Sequence, residues 1–461
     1  MSKQNSGSTG HKDASLAIGK VRWSIAVLLG VGILINYIDR LSLALVATPM
    51  SHDFGLTATD FGIIGSAFVW SYALMQIPSG ILLDRMGAKW IWRIGMATWA
   101  IASFLTAVAS GYWVVILARL LLGLAEAPAF PGAMKATGTW FPVTERSLAT
   151  AVFDAGTRLA NVIGLPIIAL VISVWGWREA FWVQGILSII YLAVFWRMYR
   201  EPKEKRDEGR MSEAEYRYIV DGGGAASKNK NFNLEDFKYL LKQRKVWGLS
   251  LGLAGVGYVL WMLFTWLPGF LQMGFDQSVL KSGLFTAIPG IAMFVAEVTI
   301  GGVYVDHLIR KGHDASLVRK TVLVAGIIIA FLTVGAGTAT SPVSAITWIA
   351  LGSVGIALVY VVSNSIPALI APEGDTGSVA AIMNFVNLLA GMISPIVTGA
   401  IVDATGNFKY AFLVGGIALI GGLLSFVFLM GRVEPIPSRS EAEARRHPGH
   451  MNLRVESRVE E

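Results

Sequence analysis

Long apolar runs separated by short polar segments dominate the chain, and each run is long enough to carry a helix across a bilayer, which takes about 20 residues. Twelve such spans are read, at 21–46, 57–83, 88–109, 112–137, 146–172, 177–197, 246–271, 279–304, 318–338, 342–368, 376–403 and 408–431. The pattern predicts an all-α integral membrane protein. One long polar interruption, from Met198 to Lys245, divides the spans into two sets of six. The organisation predicted is a tail at 1–20, a six-helix bundle at 21–197, a linker at 198–245, a second bundle at 246–431 and a tail at 432–461.

Composition agrees with that reading. Of 461 residues, 54% are apolar and only 15% charged, against about a quarter charged in ordinary soluble domains. There is no cysteine, which excludes disulfides and thiol nucleophiles. His307 and His313 flank a basic loop and His447 and His450 lie in the tail, so no metal-ligand spacing falls inside an apolar span. The net charge of +7 sits in short loops, which argues for membrane orientation and against nucleic-acid binding.

The basic loops alternate. Arg85, Lys89 and Arg93 follow the second span, Arg146 precedes the fifth, Arg197 to Lys245 follows the sixth, and Arg310, Lys311, Arg319 and Lys320 follow the eighth. The loop from Ser51 to Asp60 has no Lys or Arg, and the one near Thr338 to Pro342 has no charge. The positive-inside rule therefore places both termini in the cytoplasm of a multi-pass membrane protein, expected in the cell inner (plasma) membrane. The polar stretch from Met1 to Lys20 lacks a small-residue cleavage site before the first span, so that span is expected to be an uncleaved helix. The linker, rich in both charges and containing Gly222 to Gly224, reads as a solvated connection with short surface helices.

The two halves repeat. The second span ends in Gly80, Ile81, Leu82, Leu83, Asp84, Arg85, Met86, Gly87, Ala88, Lys89, and the eighth in Gly302, Val303, Tyr304, Val305, Asp306 followed by Arg310, Lys311, Gly312. Pro142, Glu145, Arg146, Pro166, Arg178, Ala180 and Phe181 find a counterpart in Pro372, Glu373, Pro395, Lys409, Ala411 and Phe412. Parallel six-span repeats imply a pseudo-twofold axis along the membrane normal and a site between the halves near the midplane.

The loop from Gly80 to Lys89 resembles the signature that follows the second helix of the major facilitator superfamily. Tyr37, Ile38, Asp39 and Arg40, with Arg119, Gly123, Glu126, Ala127, Pro128, Ala129, Phe130 and Pro131, resemble its anion:cation symporter branch. Bacterial proton-coupled carriers of D-galactonate, glucarate and hexuronates are similar from about Val21 to Arg432. The resemblance implies the major facilitator fold, alternating access and proton symport of a sugar acid.

The residues support the same site independently, since an ionisable group at membrane depth costs several kcal/mol and faces a partner or a cavity. Asp39 and Arg40 lie mid-span, and Arg119 and Glu126 project from one helix face, two turns or about 10 Å apart. A purely structural ion-pair cluster joining the first and fourth helices is the alternative. On the functional reading, Arg40 and Arg119 take the substrate carboxylate, because a guanidinium fork matches it and stays charged. Asp39 and Glu126 carry protons, since a carboxyl group near arginines can change protonation as its partner is taken by substrate.

The resemblance adds substrate contacts at Tyr72, Asn384 and Ser363. Tyr37, Asn364 and Asn387 are further candidates, and any of these polar groups could instead join helices. Thr157 stands where the galactonate carriers have glutamine, Leu253 where they have a polar residue and Asn364 where they have tryptophan. Arg158 is an extra cation in the fifth span, either a substrate group or an i, i+4 partner of Asp154. Glu297 is an isolated carboxyl group of the eighth span, and Asp84, Arg85 and Arg146 are read as a cytoplasmic gate.

A channel is disfavoured by the repeats and gate motif. A membrane enzyme would need a nucleophile, metal or cofactor constellation, and the glycine runs at Gly30 to Gly32 and Gly222 to Gly224 follow no strand. The function expected is import of a hexonate, hexuronate or aldarate by a monomeric carrier in contact with lipid. Protons are the coupling ion and no cofactor is expected. Transport of another organic anion, an aromatic carboxylate or dicarboxylate, by symport or exchange is the alternative.

Overall fold

The computed structural model describes residues 19–224, 233–297, 299–300, 305–373 and 375–446. The tail at 1–18, the repeat segment from Gly302 to Tyr304, and His447 and His450 lie outside the described residues.

Among the described residues, ten separate helices are long and apolar enough to cross a bilayer. They are α1 (Val21–Leu45), α4 (Tyr112–Trp140), α5 (Val143–Trp175), α6 (Trp177–Met198), α7 (Arg244–Phe275), α8 (Val279–Ala296), α9 (Ala315–Thr338), α10 (Pro342–Ile370), α11 (Thr376–Thr405) and α12 (Lys409–Leu429). The run Ala58–Ala107 supplies the other two. Its 50 residues would make a straight rod of about 75 Å, more than twice the hydrocarbon thickness. Gly87, at φ 75° and ψ 162°, breaks the run, in a region open only to a residue without Cβ. Gly132 of α4 lies against both Leu83 and Trp92, so the chain reverses at Gly87 and forms α2 (58–86) and α3 (88–107). The described residues thus carry ten spans besides this bent run, in the order the twelve-span pattern predicts.

The first six and last six helices meet mainly at the end that carries the loop around Gly55. At that end α2 packs on α11, where Gly62 lies against the Pro395 carbonyl and Gly399 against Ala58. Helix α5 packs on α8 through Leu165, Ala169 and Gly283, and Gln272 of α7 donates to the Leu45 carbonyl of α1 at 3.2 Å. Asp403, near the end of α11, accepts the backbone N–H groups of Ala58 at 2.8 Å and Thr59 at 2.7 Å and the Thr59 hydroxyl. An acid placed there meets the orphan donors and the positive end of the α2 dipole.

Toward the linker the buried apolar groups of the first six helices form a cluster that takes only Leu388 from the last six, whereas at the opposite end they merge with the bulk of those of the last six. Asn364 and Asn384 are accordingly exposed although they sit within α10 and α11. The linker helix Glu213–Asp221 is fastened to the first half, where Glu215 accepts the backbone N–H of Arg22 at 3.0 Å and Arg22 pairs with Glu145 at 2.7 Å.

Asp403→Ala is expected to weaken the closed end. The chain has no cysteine, so spin labels on His52→Cys and Asn407→Cys can be introduced alone, and the Asp403 variant should lengthen the distance between them. At the same end Asp53 accepts Trp177 Nε1 at 2.8 Å and Arg178 Nη1 at 2.9 Å. These bonds hold its carboxyl below the ordinary carboxylate range. The contribution of a depressed carboxyl is present above its unfolded pKa and is lost as pH falls through the folded one. Asp53 therefore stays ionised between pH 5 and 8, and any pH dependence there is expected to survive Asp53→Asn, measured on substrate uptake.

Candidate functional site

Two prolines shape α4 around its carboxylate. The helix runs to Glu126 and is interrupted at Ala127 and Pro128 before resuming at Ala129, because Pro128 and Pro131 bring no N–H to the ladder. Gly123, one turn before, lets α2 approach so closely that a Cβ would strike Ser71 and the Phe68 carbonyl. Gly123→Val is expected to destabilise the fold by about 1–3 kcal/mol through overpacking, measured as a lower unfolding temperature with substrate absent.

That approach assembles the central cluster. Arg40 of α1 pairs with Glu126 through Nη2 at 3.2 Å and Nε at 3.4 Å. Its guanidinium carbon lies 4.7 Å from the ring centre of Tyr37, 4.8 Å from Phe68 and 4.9 Å from Tyr72. Three aromatic faces thus surround one cation, an arrangement that suits guanidinium better than ammonium. Arg119 Nη2 donates to the Arg40 carbonyl at 3.4 Å, and its guanidinium lies 5.4 Å from the Phe68 ring. Asp39 is buried beside Ser188 within the field of Arg119 and Glu126, and neither of its oxygens has a hydrogen-bond partner of good geometry. Glu126 Oε1 is also unpartnered. Two buried carboxyl groups with spare acceptors beside two guanidinium groups make a site able to exchange protons and anions.

Arg40 and Arg119 face a small space bounded on the other half by Trp261, Phe264 and Thr265 of α7. Asn387 of α11 is nearly buried and accepts the Tyr360 hydroxyl at 3.1 Å. Ser363 is fully buried with its hydroxyl unpartnered, and Thr157, also buried, donates to the Asp154 carbonyl of its own helix at 2.8 Å. Asn364 and Asn384 are exposed on the linker side. The predicted polar residues thus lie at different depths and are not gathered on one shell.

Arg158 does not take Asp154 as its partner. It reaches Glu297, the residue that follows α8, at 2.5 Å, an ion pair across the two halves. A π-helical turn at Ala160–Gly164 follows it, where Pro166 cannot donate back along the helix.

The three predicted gate residues are not brought together. Asp84 pairs with Lys135 at 2.6 Å, Arg85 is exposed, and Arg146 donates to the carbonyls of Phe141 at 3.2 Å, Gly138 at 2.9 Å and Gly223 at 2.7 Å. Arg146 thus caps the end of α4 and fastens the linker to it.

Sequence reasoning missed Phe68, Tyr360 and Asp403. An aromatic residue in an apolar span carries no contrast, and Asp403 at a helix end looks like ordinary surface charge.

Two six-helix sets closed on one another at one end, with a charged cluster midway, define a membrane transporter. The chain belongs to the Major Facilitator Superfamily, whose family description it matches over residues 29–313 and 314–456. It is 37% identical over 420 residues to the uncharacterized transporter YybO of Bacillus subtilis (strain 168), covering 91% of this chain and 96% of that one. It is 30% identical to the D-galactonate transporter of Escherichia coli O6:H1, with 91% and 97% covered. A probable galactarate/D-glucarate transporter, GudP of Bacillus subtilis (strain 168), is 29% identical, with 92% and 95% covered. Among solved structures, a bacterial homologue of the human lysosomal transporter Spinster, inward-facing and occupied, shares the fold at a TM-score of 0.72 and 17% identity, covering 89% and 97%. The D-xylose-proton symporter shares it at 0.70 and 14%, covering 89% and 98%. The protein is a transporter and not an enzyme.

Proposed function

We propose that the protein imports a sugar acid, a hexonate, hexuronate or aldarate, by proton symport with alternating access. The observation that carries the reading is the Arg40–Glu126 pair inside its aromatic enclosure, next to Arg119 and Asp39. A substrate carboxylate arriving at Arg40 competes with Glu126 for the same guanidinium edge. Once displaced, an ionised Glu126 would be a buried charge without its partner, which costs several kcal/mol, and a proton removes that cost. Anion binding and proton binding are thereby linked. Asp39, which has no partner to lose, answers to the proton alone.

The relatives' named cargoes, galactonate and galactarate or glucarate, support a small hydroxylated acid, and Tyr37, Tyr72 and Asn387 offer groups that can bond hydroxyls. With both termini in the cytoplasm of the inner membrane, the closed end at Gly55 is the outer one and the conformation opens inward. Protons serve as the coupling ion, and no cofactor is required. A second reading, transport of a different small organic anion, has support in a 30% identical relative named a probable sulfoacetate transporter.

Ligand-dependent thermal stability separates the two. A hexonate or aldarate at about 100 times its dissociation constant should stabilise the folded protein by about 2.7 kcal/mol, and the uncharged parent sugar should have no effect. Stabilisation by sulfonates or aromatic acids but by no sugar acid would overturn the first reading in favour of the second.

A further inference from the structure

The Arg158–Glu297 pair belongs to neither half alone, and the central cluster does not use it. Arg158 lines a largely apolar pocket between α1, α5, α7, α8 and α10. That pocket shares Leu41, Ala44 and Phe264 with the space in front of Arg40 and Arg119, so the two are neighbouring chambers. Tyr37 packs its ring on the Arg40 guanidinium at 4.7 Å. The far chamber also holds Ser353, whose buried hydroxyl has no partner, and Asn161, whose amide donates to the Thr157 carbonyl at 3.2 Å. Arg158 and Glu297 keep about 31% and 26% of their side-chain surface exposed, enough for one partner to be replaced.

We infer that Arg158 is a specificity-determining residue that exchanges Glu297 for the second carboxylate of a dicarboxylic sugar acid whose first carboxylate is held at Arg40 and Arg119. The inference rests on the sugar-acid reading and narrows it to dicarboxylates. A guanidinium in each of two neighbouring chambers suits an anion charged at both ends, and in the largely apolar far chamber Asn161, Thr286 and Ser353 are the polar groups beside Arg158. A substrate with a single carboxylate leaves Arg158 on Glu297. The exchange also parts a link between the two halves, so a dicarboxylate and Glu297 compete for one cation.

The test compares galactarate with D-galactonate, which differ only in whether the sixth carbon is a carboxylate or a hydroxymethyl group. Binding of each to the purified protein is measured for the unmodified chain, Arg158→Gln and Glu297→Gln. Arg158→Gln should weaken galactarate binding at least about tenfold and D-galactonate binding less than about threefold, as loss of one charge-assisted contact predicts. Glu297→Gln removes the competitor and should tighten galactarate binding while leaving D-galactonate unchanged. Opposite signs are the signature of exchange, because a pair that only joins helices would move both variants in the same direction. Shifts of the same sign, or equal shifts for both acids, would overturn the inference and leave the sugar-acid reading standing. If neither acid bound the unmodified chain, that reading and the inference would fall together.

Discussion

Glu126→Gln and Asp39→Asn are each expected to abolish accumulation driven by a proton gradient while leaving exchange of internal for external substrate in place. A gradient of one pH unit supplies about 1.4 kcal/mol per proton, so the unmodified carrier should concentrate its substrate roughly tenfold for each proton coupled. A neutral mimic breaks that link, and the ratio should fall to about one. Counterflow needs only the loaded carrier to cross, which a neutral side chain permits. The two variants should differ in detail. Glu126 bonds Arg40 directly, so its neutral form frees Arg40 and should alter substrate affinity, whereas Asp39, which has no such bond, should change the pH response with little effect on affinity. Reconstituted vesicles measure both, as gradient-driven uptake and as counterflow. Normal accumulation by both variants would reject these carboxyl groups as proton sites and move attention to Glu297.

Removing either central arginine should have the other large effect. Arg40→Ala or Arg119→Ala takes away a buried cation, and such losses cost 2 kcal/mol or more, about 30-fold in affinity at the least. Arg40→Ala also strands Glu126, with a stability cost of about 3–5 kcal/mol. The double variant Arg40→Ala with Glu126→Gln removes that cost, so it should recover stability without recovering binding. Arg40→Lys should bind poorly as well, because an ammonium cannot bond Glu126 or a carboxylate through two nitrogens while lying flat against Tyr37, Phe68 and Tyr72. Equilibrium binding checks all four, and unchanged affinity in folded single variants would remove the arginines from the substrate site.

The fold was legible because lipid imposes a coarse rule. Each span must be long and apolar, so run length alone placed the helices, and Gly87 marked the turn inside the longest continuous one. The central four ionisable residues were legible for the same reason, since charge stands out in an apolar run. What they contact was another matter. Glu126 turns to Arg40, 86 positions away, and Arg158 passes over Asp154, one helical turn off, to reach Glu297, 139 positions away. Helical spacing reports neighbours on one helix and says nothing of which helices lie opposite. The gate reading of Asp84, Arg85 and Arg146 met a further limit. A contact that breaks when the halves rock depends on conformation as well as sequence, and with the linker end open Asp84 bonds Lys135 and Arg146 caps α4.

Substrate-dependent proton movement tests the central claim most directly. In vesicles with an inside-alkaline gradient and the membrane potential clamped, galactarate or D-galactonate is added outside, and external pH and internal substrate are followed together. The account predicts that substrate entry and external alkalinisation begin together and rise in fixed proportion, and that with a protonophore the pH signal is lost and the substrate does no more than equilibrate. Substrate accumulation that proceeds unchanged with the protonophore present, with no pH signal, would contradict it.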